Sequence, residues 1–181
     1  MNSYEIRIAG FGGQGVVLSG VVLGRAAALY AGKEVTLMQS YGPEARGGSC
    51  KTELILSDEK IDYPLTDSPQ VLVAMNKESL DKFSSEMSSG GILIYDSTFI
   101  EPFENADLEV YPVPGTRIAE ELGSRIVANM VMLGSLVALL DMDMVSLKDL
   151  NKAVAETVPP HTLELNSKAV EKGYEFMQSL L

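Results

Sequence analysis

Gly10-Phe11-Gly12-Gly13-Gln14-Gly15 is the first place where this chain could meet an anion. The motif lies between a short apolar run, Ile6-Arg7-Ile8-Ala9, and a helical pattern opening at Val16. Strand, glycine turn and helix in that order aim backbone N–H groups and a helix N-terminus at one point. Three readings stay open: a phosphate-bearing ligand, a nicotinamide dinucleotide, or close packing against the chain's own strands or another subunit. The nicotinamide reading wants Asp or Glu where the second strand ends. Here that strand ends Leu37-Met38-Gln39-Ser40, and Glu34 stands at its other end. The NADP variant wants a basic residue there, but Arg46 comes several residues later, so the dinucleotide is disfavoured. Gln14 either offers its amide to a ligand or partner, or is a first helical residue facing solvent.

The second candidate is Ser40-Tyr41-Gly42-Pro43-Glu44-Ala45-Arg46-Gly47-Gly48, at the carboxyl end of the second strand. In open α/β sheets that edge is where ligands and partners bind. Arg46 beside two glycines suits a guanidinium fork aimed at carboxylate or phosphate. The plainer alternative is a surface pair between Glu44 and Arg46, worth little. Asn129 is an amide inside an apolar helical run and, once buried, must find hydrogen-bond partners, so bracing a loop is favoured over touching a ligand. Asp96, at a strand's end, caps or braces a loop. Cys50 and His161 are the single cysteine and histidine. One thiol cannot hold an iron–sulfur cluster or a cysteine zinc site, so no metal site is expected. His161, after two prolines, reads as a solvent-facing or capping residue, and no catalytic residue is assigned.

The elements that must position these residues alternate. Strands are expected at Tyr4–Ala9, Glu34–Gln39, Lys51–Ser57, Val71–Met75, Ile92–Asp96 and Leu108–Val113, with Ile61–Tyr63 as a hairpin return. Helices are expected at Val16–Tyr30, Lys77–Met87, Thr116–Leu122, Ile126–Leu140, Leu147–Thr157 and from Thr162 to about Leu180. The first strand, helix and second strand form a βαβ unit whose strands should pair in parallel. Val71–Met75 has no polar member, as expected of a strand buried on both faces. The pattern predicts one three-layer α/β domain over residues 1–181, with a mostly parallel sheet and a helical C-terminal third.

With 46 % apolar and 22 % charged residues the chain is globular, and its net charge of −11 argues against nucleic acid or an anionic membrane surface as partner. No signal pattern opens the sequence, so a cytoplasmic location is expected. Ile126–Leu140 falls short of the roughly 20 residues a membrane span needs.

The glycine motif, the Ser40–Gly48 run, and Asn129-Met130 with Leu133-Gly134 resemble the gamma subunit of 2-oxoacid:ferredoxin oxidoreductases in order and spacing. Ile61-Asp62-Tyr63-Pro64 and Val71–Met75 add similarity to the 2-oxoglutarate branch over the pyruvate, branched-chain and indolepyruvate branches. The resemblance implies a Rossmann-like domain in a multi-subunit enzyme with alpha, beta and, as a further member, delta subunits. That enzyme would use thiamine diphosphate, magnesium, iron–sulfur clusters and coenzyme A, with ferredoxin taking the electrons. A chain with one cysteine and no Gly-Asp-Gly segment of the thiamine type would bind none of the redox centres alone. It would stabilise the assembly and help hold coenzyme A. The contacts expected with coenzyme A or partner subunits are Gly10, Phe11, Gly12, Gly13, Gln14, Gly15, Ser40, Tyr41, Gly42, Glu44, Arg46, Gly47, Gly48 and Asn129. A stand-alone phosphate- or nucleotide-binding module is the rival reading.

Overall fold

A computed structural model describes residues 3–41, 48–140 and 144–181. Among the described residues six strands form one sheet: β1 (Ser3–Phe11), β2 (Glu34–Tyr41), β3 (Ser49–Ser57), β4 (Val71–Ala74), β5 (Gly91–Asp96) and β6 (Leu108–Val113). Their order is β2-β3-β1-β4-β5-β6. The ladders β1–β4, β4–β5 and β5–β6 are parallel, whereas β3 runs antiparallel to both β1 and β2. This corrects the expected β1–β2 pair. The two strands do run in one direction, but β3 returns between them, with Ile6 opposite Leu54 and Leu54 opposite Leu37. The polar stretch 58–70 forms no strand, so Ile61–Tyr63 is not a hairpin return.

The helices are α1 (Val16–Arg25), α2 (Lys77–Phe83), α3 (Gly115–Glu121), α4 (Ala128–Leu139), α5 (Leu147–Thr157) and α6 (Leu163–Gln178). Helix α1 continues through a wider π turn, Ala26–Tyr30. Strand alternation sorts side chains between two unequal layers. Ile6, Ile8, Leu54, Val71, Val73 and Ile94 face the larger layer, built on α1, α4, α5 and α6. Ala9, Leu72, Ala74, Leu93 and Tyr95 face the smaller one, closed by Leu80 and Phe83 of α2. Every described residue of β4 is buried, as a strand covered on both faces requires.

Helix α4 is apolar all round because it is enclosed all round; Ala128 to Val137 are buried without a break. It crosses α6 with Gly134 and Gly173 at the contact, so backbone meets backbone there. Ser135 Oγ bonds the Gly173 carbonyl oxygen at 2.9 Å and the Val131 carbonyl oxygen at 3.1 Å.

Arg7, set between Ile6 and Ile8, is buried on the smaller face. Its guanidinium pairs with Glu53 at 2.7 Å and with Glu86, and lies 4.9 Å from the Phe83 ring centre. Partners on both sides offset the large cost of removing that charge from water. Thr52 on β3 is less well served: it is fully buried, and its Oγ1 has no hydrogen-bond partner among the described residues. Thr52→Val keeps the shape and removes the orphan hydroxyl. It is expected to raise stability by about 1 kcal/mol, read as a melting-temperature rise of about 2–4 °C.

Candidate functional site

The carboxyl ends of β1 and β4 flank the point where the strand order reverses. From β1 the chain moves out to β2 and β3; from β4 it moves the other way to β5 and β6. Ligands of open α/β sheets settle in the crevice at such a point. A cleft of about 230 Å³ opens there, lined by Gly13, Gln14, Met75, Phe99, Thr116, Arg125, Ile126 and Ala128.

The glycine motif forms one wall. Gly13 and Gly15 have φ of 100° and 75°, the left-handed region where glycine avoids strain, and Gly15 is the residue before α1. At Gly10 the constraint is space: a Cβ would stand 2.7 Å from Gln14 Oε1 and 2.9 Å from Met75 Cβ. Much of the turn is bonded inward. The Gly12 N–H donates to the Gly48 carbonyl oxygen at 3.0 Å, and the Gln14 N–H to the Phe11 carbonyl oxygen at 3.1 Å.

Gln14 is half-buried at the cleft, and its side-chain amide is bonded inward. Its Oε1 accepts from the Phe11 N–H at 2.6 Å and from Asn76 Nδ2 at 3.0 Å, while its Nε2 donates to the Met75 carbonyl oxygen at 3.2 Å. Asn76 is also the cap of α2, its Oδ1 accepting from the Ser79 N–H at 2.8 Å. Behind the turn, buried Asn129 on α4 donates to the Gly15 carbonyl oxygen at 3.2 Å and to Ser19 Oγ at 3.3 Å. Asn129 therefore braces the motif from the core side.

The opposite wall comes from loops that follow β5 and α3. Buried Asp96 gathers this wall. Its carboxylate accepts from the Thr98 N–H at 3.0 Å, the Thr116 N–H at 3.1 Å and Thr116 Oγ1 at 2.5 Å. Arg125 lies 5.4 Å from the Phe99 ring centre and pairs with Glu120 at 3.0 Å. Phe99 and Ile126 are 64 % and 85 % exposed, so the rim of the cleft is apolar with one guanidinium on it. Composition and periodicity single out none of Phe99, Thr116, Arg125 and Ile126. Asn76 had a usable signal, a helix-capping amide directly before Lys77-Glu78.

The second motif reaches the same end of the sheet. Ser40 and Tyr41 close β2, Gly48 precedes β3, and the Gly12–Gly48 bond ties the two motifs together. Gly42, Glu44, Arg46 and Gly47 lie outside the described residues. Cys50 is buried under this edge, and burial pushes its thiol pKa up, away from the reactive thiolate. His161 is exposed, far along the chain at the start of α6. Among the described residues no three His, Cys, Asp or Glu side chains form a metal-binding set, and no helix is long and apolar enough to cross a membrane.

The chain is similar along nearly its whole length to proteins of one kind. It is 46 % identical to the 2-oxoglutarate synthase subunit KorC of Methanocaldococcus jannaschii, over 97 % of this chain and 95 % of that one. Its fold matches the gamma subunit of a keto/oxoacid ferredoxin oxidoreductase from Geobacter sulfurreducens, with a TM-score of 0.88, 38 % identity and coverage of 99 % and 98 %. It also matches 2-oxoglutarate:ferredoxin oxidoreductase from Magnetococcus marinus, solved with 2-oxoglutarate, coenzyme A and succinyl-CoA. There the TM-score is 0.91 and the identity 28 %, with all of this chain aligned to 32 % of that longer chain. The pyruvate ferredoxin/flavodoxin oxidoreductase family model matches residues 5–176, and the chain belongs to that family.

Proposed function

We propose that this chain is the gamma subunit of a 2-oxoglutarate:ferredoxin oxidoreductase. It supports oxidative decarboxylation of the oxoacid to an acyl-coenzyme A, with ferredoxin as electron acceptor. The observation that carries this reading is end-to-end similarity to a 2-oxoglutarate synthase subunit of nearly equal length. The iron–sulfur clusters belong to partner subunits, since a single buried thiol cannot ligate one. Thiamine diphosphate with magnesium is assigned to the same partners, alpha and beta or a further delta member, because this sequence has no Gly-Asp-Gly segment.

The carboxyl edge of the sheet is the side turned to the rest of the enzyme. Two large apolar side chains exposed beside one cleft, Phe99 and Ile126, suit burial by a partner surface. Coenzyme A supplies the thiol that accepts the acyl group, and the cleft has features that fit part of such a molecule. Apolar side chains, a guanidinium at the rim and a glycine turn lie together. At about 230 Å³ the space is below the ~300–1,000 Å³ of a pocket that encloses a whole ligand of that size. One end of coenzyme A would enter, and Arg46, outside the described residues, is assigned to the remainder of the molecule or to a partner subunit.

Reconstitution tests this reading. The complete complex should reduce ferredoxin with 2-oxoglutarate only when coenzyme A is present, and a complex purified without this chain should lose that coupled activity. A complex lacking the chain but equally active with coenzyme A would refute it. So would a complex that prefers pyruvate, for the choice of substrate.

A further inference from the structure

We propose that Gln14 is a positioning residue, locking the Gly12–Gly13 turn in a preset shape and so setting the affinity of the cleft for coenzyme A. The inference rests on the coenzyme A reading above. Glycines that make a turn possible also leave it many other conformations, because a residue without Cβ is the least restricted in the chain. Something must select one of them. The side-chain amide of Gln14 makes three contacts that do so, to the end of β1, to the first residue after β4 and to the cap of α2. These elements lie on both sides of the strand-order reversal. Gly13, the turn residue lining the cleft, has no atom beyond its chain neighbours within 4 Å of where a Cβ would stand, so nothing packs against it on that side. Its placement comes from its neighbours. A turn fixed before binding spares the ligand the ordering cost, which raises affinity without adding a contact.

Asn76 separates this role from simple stability. Its Oδ1 caps α2, and its Nδ2 is the donor to Gln14. Asn76→Asp keeps an acceptor for the Ser79 N–H and replaces the donor to Gln14 with a carboxylate oxygen, which repels Gln14 Oε1 instead of bonding it. Asn76 lines neither wall of the cleft. In the reconstituted complex Asn76→Asp should raise the KM for coenzyme A about fivefold or more, the loss of roughly one net hydrogen bond with the oxygen–oxygen repulsion added. At saturating coenzyme A its kcat should stay near that of the unmodified enzyme. Hydrogen exchange supplies a readout independent of turnover: in the full chain the Phe11 amide should exchange faster in the variant while the Ser79 amide keeps its protection. Gln14→Met, which removes all three contacts, should raise the KM further than Gln14→Glu, which keeps both acceptor contacts.

An unchanged KM for coenzyme A in Asn76→Asp, with or without a lower melting temperature, overturns the proposal. So does a fall in kcat alone. If the unmodified complex turns over without regard to coenzyme A, the functional reading itself fails, and this proposal fails with it. That outcome is seen before any variant is made.

Discussion

Gly173→Ala is expected to destabilise the protein by about 3 kcal/mol or more, a melting-temperature drop of about 6–12 °C. A Cβ at position 173 would stand 2.7 Å from the Val131 carbonyl carbon and closer still to its oxygen. The obstacle is helix backbone, which cannot rotate aside as a side chain would. The two helices would have to separate, and α4 is buried along its length, so separation opens the main core. It would also stretch the 2.9 Å bond from Ser135 Oγ to the Gly173 carbonyl oxygen. Gly134→Ala meets the same crossing from the other side, 2.8 Å from the Val170 carbonyl carbon. Because either substitution alone forces the helices apart, the double variant should cost less than the sum of the two. Thermal and denaturant unfolding of the three variants checks this. A drop below about 2 °C for Gly173→Ala would mean that the crossing is softer than its geometry states.

What could be read in advance from the sequence, and what could not, follows from how far each feature reaches along the chain. The purely apolar run Val71–Ala74 announced a doubly covered strand, because the environment of a strand is written in its own residues. The glycine motif announced its turn in the same way, through φ values that other residues avoid. The position of β3 between β1 and β2 was not legible. Its alternation marks a strand but does not say which neighbours it pairs with, so a place between β1 and β2 cannot be read from it. Arg7 was hidden for a similar reason. It sits in an apolar run, and the groups that make its burial tolerable, Glu53 and Glu86, are 46 and 79 residues away. The far wall of the cleft joins loop residues Phe99 and Arg125, which no periodicity connects. Asn129 was half legible: a buried amide needs partners, but only the fold says that they are Gly15 and Ser19.

Gly15→Ala should show how tightly that amide holds the motif, and it is expected to cost about 2–4 kcal/mol. Part of the cost is backbone: alanine at φ 75° loses about 1–2 kcal/mol relative to an ordinary helical conformation. The rest is contact. The new methyl would stand 2.7 Å from Asn129 Cγ and closer to its Nδ2, and the amide cannot swing away without leaving its bonds to Gly15 and Ser19. Gly13→Ala serves as the comparison, since Gly13 shares the positive φ but has no atom near its missing Cβ. The difference between the two variants isolates the Asn129 contact. Adding Asn129→Ala to Gly15→Ala should recover the steric share and leave the backbone share, so the pair should fall short of additivity by about 1 kcal/mol or more. Unfolding free energies of the four variants settle the comparison. Equal costs at positions 13 and 15, with a strictly additive pair, would show that Asn129 yields freely and that the motif is held by its own backbone and by Gln14 alone.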